Sequence, residues 1–137
     1  MILRGVITVL CGVGLYASLF MLAKTRRAEQ GRLLEASVVQ TPRARLYGVS
    51  NALLGAVYYP AVALGIWLLR APWALVSLLI IVGFAALTSL VLAYSLLFVT
   101  RRPCPYCWTA HAINWSLAAL CFCLIKNIIL FGASNSW

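Results

Sequence analysis

Four long apolar segments, each flanked by arginine, lysine or proline, most strongly limit what this chain can fold into. They cover about residues 5–23, 46–69, 73–99 and 105–131. A helix needs roughly 20 residues to cross the hydrocarbon core of a bilayer, and each segment is about that long. Lipid offers the backbone no hydrogen-bond partners, so a segment of this length spans it as a helix. The sequence therefore predicts an all-α membrane protein, a four-helix transmembrane bundle formed by a single domain over residues 1–137.

The composition points to the same class of protein. Of the 137 residues, 64% are hydrophobic and 9% are charged, and the mean hydropathy is +0.99. Soluble domains are about 45–50% apolar and about 25% charged, so a soluble enzyme and a disordered segment are excluded. The net charge of +9 is not accompanied by a motif that reads a nucleic-acid groove. We therefore expect a lipid bilayer as a partner and no nucleic acid.

The basic residues are distributed unevenly between the two ends of the predicted bundle. With four spans, the connector at about residues 24–45 and the turn at 101–104 lie at the same end. That end carries 8 of the 11 lysines and arginines: Lys24, Arg26, Arg27, Arg32, Arg43, Arg45, Arg101 and Arg102. Lysine and arginine in short loops favour the cytoplasmic side. The pattern predicts a multi-pass protein of the cell membrane with this end in the cytoplasm.

A C-P-Y-C motif at residues 104–107 stands at the start of the fourth span. Two thiols at this spacing lie on one helical face, near enough to close a disulfide. A helix N-terminus stabilises a thiolate through its free N–H groups and its positive dipole end. Pro105 suits the first helical position, and Arg101 and Arg102 add positive charge nearby. The motif therefore favours a redox-active pair.

Two other interpretations of the motif remain open. One is a metal site formed by Cys104, Cys107 and His111. Zinc normally takes four ligands, and no fourth candidate lies nearby in the sequence, so we predict no metal. The other is a pair of small apolar residues at a helix start. Haem held by two histidines is not expected, because His111 is the single histidine of the chain.

The polar residues of the fourth span share one face. Cys104, Cys107, His111 and Asn114 follow one another at spacings of three, four and three residues, which places them on one helical stripe. An apolar span has little reason to align such groups unless the stripe faces a cavity or a partner helix. His111 either bonds to another helix or donates a hydrogen bond to a reducible ligand beside Cys107.

The second span contributes further candidates. Asn51 lies about one turn into it, at the same membrane end as Cys104. Burying an amide costs a few kcal/mol unless its groups are paired, so Asn51 either bonds to another helix or donates to a carbonyl oxygen of a bound ring. Tyr58, Tyr59 and Trp108 either contact lipid or form the walls of a ring-binding pocket.

The other three cysteines lie away from the motif. Cys121 follows Cys107 by 14 residues, which is about 21 Å along a helix. Cys11 lies early in the first span and hence toward the same far end. We expect Cys11, Cys121 and Cys123 to be small apolar filling residues.

Three segments together resemble the vitamin K epoxide reductase family: Tyr47 to Gly55, Trp73 to Ser95 and Cys104 to Asn114. The most specific part is the C-x-x-C followed by Ala112-Ile113-Asn114, together with Ser50-Asn51 upstream. The resemblance covers spans two to four well and the first span and the connector weakly. It implies a four-helix bundle around a quinone of menaquinone or ubiquinone type, whose C-x-x-C passes electrons from a partner's thiols to that quinone.

The resemblance also implies roles for individual residues. By position, Cys107 faces the quinone and Cys104 exchanges disulfides with the electron donor. Asn51 matches the family's hydrogen-bond donor to a quinone carbonyl. His111 stands where many members have a tyrosine that bonds the other side of the ring. Imidazole can donate a hydrogen bond there too, but it titrates near neutrality.

Two features depart from the family pattern. Members usually carry two more cysteines in the first connector, near Ala28 and Ala36 here, which relay electrons from a thioredoxin-like partner. This connector contains none, so either the partner attacks the C-x-x-C disulfide directly or the relay has been lost. Bacterial relatives normally work outside the cytoplasmic membrane, whereas the arginines here predict an inward-facing site.

The sequence thus predicts a quinone-coupled membrane thiol–disulfide oxidoreductase whose substrate is a thioredoxin-like or other dithiol protein. The alternative is a non-catalytic scaffold subunit of a larger membrane complex, which the missing connector cysteines favour. A metal-handling membrane protein that uses Cys104, Cys107 and His111 is a third hypothesis.

Overall fold

The computed structural model describes residues 2–32, 45–46, 48–69, 71–101 and 104–131. Over these ranges the chain forms four long helices: α1 (Ile2–Glu29), α2 (Asn51–Leu68), α3 (Pro72–Tyr94) and α4 (Pro105–Phe131). All four are long and apolar enough to cross a membrane. The predicted class, an all-α membrane protein with four spans, is confirmed.

The first helix is longer than the sequence indicated. The first span was expected to end near residue 23, but α1 continues to Glu29. Residues 24–29 therefore belong to the helix and not to the connector. Arg26 and Arg27 lie in the last turn, where positive charge interacts favourably with the negative end of the helix dipole. Residues 33–44 of the predicted connector, as well as Arg70 and Arg102, lie outside the described residues.

The second helix begins later than predicted. The expected start near Leu46 is wrong, because Arg45–Leu46 (β1) pairs with Val49–Ser50 (β2) as a short antiparallel hairpin. Gly48 has a φ of 85° in the turn between them, a backbone conformation that glycine adopts without strain. The Ser50 hydroxyl then accepts a hydrogen bond from the Leu53 N–H at 3.2 Å. This N-cap fixes the first residue of α2.

The third helix changes its winding before it ends. From Ser95 to Thr100 it continues as a π-helix, and Arg101 ends it in the left-handed conformation, with a φ of 48°. The sequence predicted a single uniform span to residue 99. A left-handed residue is a common way to end a helix, and π-turns inside helices often accompany functional sites. This irregular segment leads directly to the cysteine motif.

The core of the bundle draws residues from every helix. α1 packs against α2 and α4, and α3 packs mainly against α4. The buried cluster consists of Ile7, Cys11, Tyr59, Val62, Ile66, Leu78, Val82, Ile113, Leu117 and Cys121. Many large apolar side chains instead point outward, among them Leu64, Ile80 and Phe84. In a membrane these outward positions contact lipid, so the helices need other means than apolar burial to find one another.

Two glycines allow α1 and α2 to approach closely. A Cβ at Gly14 would lie 2.5 Å from the Tyr59 ring, and a Cβ at Gly55 would overlap the Ser18 hydroxyl. Each helix thus presents a glycine where the other places a larger side chain. Small residues at the contact are a common basis of helix packing in membranes. The crossing holds the Tyr59 ring between the two helices.

Replacing Gly14 by alanine should therefore separate α1 from α2. We expect Gly14→Ala to lower the free energy of unfolding by about 1–3 kcal/mol, the usual effect of overpacking. Thermal unfolding in detergent micelles would measure it. Gly12→Ala is the matched control, because a Cβ there would meet nothing within 4 Å. Equal melting temperatures for the two variants would contradict the close crossing.

Candidate redox site

The two motif cysteines are bonded to each other at the N-terminus of α4. Cys104 and Cys107 form a disulfide, with their Cα atoms 5.3 Å apart. The Cys104 sulfur also accepts a hydrogen bond from the Cys107 N–H at 3.3 Å. The same N–H would face a Cys104 thiolate after reduction, and a helix N-terminus stabilises that charge. Cys104 is 7% exposed and Cys107 is half-buried.

The tyrosine between the two cysteines holds the motif against α1. The Tyr106 ring stacks on the Phe20 ring, with centroids 4.1 Å apart and planes at 22°. Stacked aromatic pairs of this kind contribute about 0.5–1.5 kcal/mol beyond area burial. Phe20 could not be predicted as part of the site, because no spacing along the chain relates it to the motif.

His111 lies one helical turn below Cys107. It is 8% exposed, and its Nδ1 atom is buried without a hydrogen-bond partner in the part of the chain that the structure describes. The imidazole meets the Trp108 ring edge-on, with centroids 6.3 Å apart, and lies at 26° to the Trp115 ring. Trp108 is itself half-buried. A buried polar atom without a partner is costly, so this nitrogen marks a position suited to a ligand's polar group.

The two tyrosines of α2 have different environments. Tyr59 is 2% exposed, and its hydroxyl donates to Asn114 Oδ1 at 3.1 Å and lies 3.4 Å from the Ala110 carbonyl oxygen. Tyr58 meets the Tyr59 ring edge-on, with centroids 5.1 Å apart. The Tyr58 hydroxyl is buried, and among the described residues it has no hydrogen-bond partner. Tyr59 thus joins two helices, whereas Tyr58 keeps a polar atom available.

Asn114 connects three helices through its amide. It accepts the hydrogen bond of Tyr59 from α2, and its Nδ2 donates to Ser89 Oγ of α3 at 2.6 Å. Asn114 follows Cys107 by seven residues, which is about 10 Å along α4, and it lies on the same stripe. The connection therefore fixes the rotation of α4 and with it the direction of the cysteines and His111. Asn114 was placed on the stripe by its spacing, but Ser89 was missed because a lone serine in an apolar span carries no signal.

Asn51 stands at the first residue of α2 and is half-buried. The sequence placed it about one turn into the span, which is wrong because the hairpin at residues 45–50 and the Ser50 cap delay the helix start. Asn51 remains at the end of the bundle where α4 begins, since α2 and α4 both run away from that end.

The remaining acidic, histidine and cysteine side chains do not extend the site. Within the described ranges, no group of three or more His, Cys, Asp or Glu side chains is placed to hold a metal ion. Cys11 and Cys121 are buried in the core, and Cys123 is exposed on the outer face of α4. The start of α4 thus holds a disulfide-bonded cysteine pair.

Fold and site together define a membrane-embedded helical protein with a disulfide-bonded cysteine pair at a helix N-terminus. Sequence comparison agrees: the family model described as the vitamin K epoxide reductase family matches residues 5–122. The match covers most of the chain, so this protein belongs to the vitamin K epoxide reductase family. The resemblance predicted from the motifs is confirmed, and the protein is a multi-pass membrane oxidoreductase. No curated protein matches the sequence significantly.

The Asn114 connection can be tested by a double-mutant cycle. We expect Tyr59→Phe and Asn114→Leu each to lower the free energy of unfolding by about 0.6–2 kcal/mol, the range for hydrogen bonds between membrane helices. The double variant should lose less than the sum, because both changes remove the same bond. Ser116→Ala is the control, since that hydroxyl donates to the Ala112 carbonyl of its own helix, at 2.9 Å. Strictly additive losses in detergent unfolding would contradict the coupling.

Proposed function

We propose that this protein is a quinone-coupled thiol–disulfide oxidoreductase. It oxidises a thioredoxin-like or other dithiol protein through Cys104 and Cys107 and passes the electrons to a quinone of menaquinone or ubiquinone type. The observation that carries the proposal is the disulfide at the start of α4 together with the His111 nitrogen one turn below it, which has no hydrogen-bond partner among the described residues. Family membership supports it, since the family is quinone-linked in general.

The first half of the reaction is thiol–disulfide exchange. A partner thiolate attacks the Cys104 sulfur, the Cys104–Cys107 bond breaks, and Cys107 leaves as a thiolate. The partner's second thiolate then attacks the mixed disulfide, so the partner leaves as a disulfide and both cysteines are reduced. The connector contains no cysteines, which supports direct attack on this pair. Because Cys104 is 7% exposed, the attack requires the groups that cover it to move.

The second half restores the disulfide. Two electrons and two protons leave the thiols as the sulfur–sulfur bond re-forms, and a quinone, when bound, accepts them. His111 Nδ1 fits such a ring, because it is buried one helical turn from Cys107 and has no hydrogen-bond partner among the described residues. The Tyr58 hydroxyl of α2 also has none there. Each can hydrogen-bond a carbonyl oxygen. Donors fixed in place before the reaction stabilise the negative charge that develops on such oxygens.

The other proposed contacts have different parts in this site. Asn51 would donate to a carbonyl oxygen from the first turn of α2, and Trp108 would supply an aromatic wall beside His111. Tyr59 was predicted to form part of the wall of a ring-binding pocket, a role that its aromatic face would supply, while its hydroxyl is bonded to Asn114. We therefore assign the Tyr59 hydroxyl to the support of α4. The excess of arginine and lysine at this end supports a cytoplasmic site under the positive-inside rule.

A non-catalytic scaffold subunit is the second candidate, and the absence of connector cysteines favours it. Thiol labelling discriminates between the two candidates. In the enzyme, added quinone should protect Cys104 and Cys107 of the reduced protein from a thiol reagent, because the disulfide re-forms. In a scaffold, labelling would be unaffected by quinone.

Loss of either motif cysteine should abolish turnover. We expect Cys104→Ala and Cys107→Ala in lipid nanodiscs to reduce quinone-dependent oxidation of dithiothreitol to background, because neither variant can re-form the disulfide. Absorbance of the quinone would report the rate. Cys123→Ala is the control, since that thiol is free and exposed. Normal turnover in either motif variant would overturn the proposal.

The same variants reveal which sulfur meets the partner. In Cys107→Ala, the remaining Cys104 should accumulate as a mixed disulfide with an added thioredoxin-like protein whose single cysteine carries a 2-nitro-5-thiobenzoate group. Cys104 displaces that group, and neither protein then has a second thiol to resolve the adduct. The Cys104→Ala variant should form much less of this mixed disulfide. Non-reducing gel electrophoresis would show the adduct. The opposite ranking would assign the exchange to Cys107, the more exposed sulfur.

The role of His111 can be separated from its packing. We expect His111→Phe to lower kcat by up to about 100-fold, the lower end of the effect of removing one fixed donor. His111→Tyr should retain most of the activity, because a phenol can donate a hydrogen bond from the same position. Quinone reduction by dithiothreitol would measure both. A phenylalanine variant as active as the wild type would contradict a donor role.

A further inference from the structure

The C-terminal end of α1 carries concentrated positive charge beside the cysteine pair. Lys24, Arg26, Arg27 and Arg32 lie within nine residues, and Glu29 is the one acidic residue among them. We call these four basic residues the basic end of α1. The three arginines are exposed. The whole chain holds 2 acidic residues against 11 basic ones, so little of its own charge opposes this cluster.

The basic end extends beyond the level of the disulfide. The Phe20 ring of α1 stacks on the Tyr106 ring, with centroids 4.1 Å apart. These two residues therefore lie at the same level along the axis of the bundle. From Phe20 the helix continues to Glu29, and these nine further residues add about 13 Å. α4 runs in the opposite direction from its first residue, Pro105. A protein that binds at the cysteine pair on the side of α1 therefore comes close to the basic end.

The backbone holds this end of the helix in a defined conformation. Gly31 has a φ of 67°, and its N–H donates to the Ala28 carbonyl at 3.0 Å. The Arg32 N–H donates to the Arg27 carbonyl, also at 3.0 Å. These two bonds and the left-handed glycine form a Schellman motif, which satisfies carbonyls at the helix end. The arginines therefore project from an ordered element.

The geometry points to an acidic protein face as the occupant of this surface. We propose that the basic end of α1 docks carboxylates that surround the dithiol of the partner protein; this inference rests on the proposed function. Opposite charge on two surfaces steers their encounter and raises the association rate. Arg101 is exposed three residues before Cys104 and extends the positive surface to the edge of the disulfide.

Height along the bundle favours a protein over lipid headgroups. Tyr106 lies in the first turn of the span Pro105–Ile128 and thus near the edge of the hydrocarbon. The headgroup layer adds roughly 5–8 Å on each side of a bilayer. Arg27 follows Phe20 by seven residues, which places it about 10 Å above Tyr106 along the helix. Along the helix the outer part of the basic end thus extends further than the thickness of a headgroup layer, which puts it within reach of a water-soluble partner.

The test compares synthetic dithiol peptides that share one C-x-x-C core and carry flanking glutamates, glutamines or lysines. Quinone-dependent oxidation is measured in nanodiscs of zwitterionic lipid, with dithiothreitol as a neutral small dithiol. We expect kcat/KM for the glutamate peptide to exceed that for the glutamine peptide by about tenfold at low salt, with the lysine peptide lowest. The preference should disappear near 1 M salt, where the Debye length is about 3 Å.

Variants locate the effect on the chain. Arg26→Gln combined with Arg27→Gln should remove most of the preference for the glutamate peptide, expressed as a ratio of the two kcat/KM values. Lys126→Gln, on an exposed residue toward the other end of α4, should leave the ratio unchanged. Using a ratio within each variant corrects for differences in the amount of folded protein.

The outcomes separate this inference from the proposed function. If dithiothreitol is not oxidised, the proposed function fails. If dithiothreitol is oxidised but the three peptides react equally, the docking surface is overturned and the function stands. If the double variant differs from the wild type only in nanodiscs of anionic lipid, the basic end serves lipid headgroups, and the docking proposal is likewise overturned.

Discussion

The hydrogen bonds of Asn114 are the constraint on which the rest of this structure depends. In lipid, apolar helices gain little by burying apolar surface against one another, so polar bonds and close contacts set their rotation. The Asn114 Oδ1 atom accepts a hydrogen bond from the Tyr59 hydroxyl of α2, and its Nδ2 donates one to the Ser89 hydroxyl of α3. Because Cys107 and His111 share its stripe on α4, the same bonds determine that these side chains face the bundle interior. A different rotation would present both of them to lipid.

Buried polar groups of this bundle fall into two kinds, and the difference separates support from function. The Tyr59 hydroxyl and the Asn114 amide satisfy each other, and Gly14 provides the space for the Tyr59 ring. His111 Nδ1 and the Tyr58 hydroxyl are equally buried, yet in the described part of the chain they have no partner. Unpaired polar atoms in a low-dielectric interior are costly, so the His111 nitrogen, one helical turn from Cys107, suits a site that binds a polar group.

Residue patterns along the chain predict the spans and the chemistry well, but they do not predict the contacts between helices. Apolar length alone places four spans, and the spacing from Cys104 to Asn114 places the polar stripe. The start of α2 was misplaced because a hairpin of two residues per strand, capped by Ser50, leaves no periodic signal. The pairings of Tyr59 with Asn114 and of Phe20 with Tyr106 depend on how whole helices are rotated. Rotation is a tertiary property, and no single segment encodes it.

Because Ser95–Thr100 forms a π-helix, the number of residues in this segment affects the position of Cys104 more than the identity of its side chains does. A π-turn holds one more residue than an α-turn, and one residue corresponds to about 100° of helix rotation. Leu97, Phe98 and Val99 are exposed, so many apolar replacements fit there. Deleting any one of these residues would either remove the π-turn or, if the π-turn were kept, rotate the chain that leads to Cys104 by about 100°. Insertions and deletions in this stretch would therefore disturb the position of the cysteine pair more than apolar substitutions would.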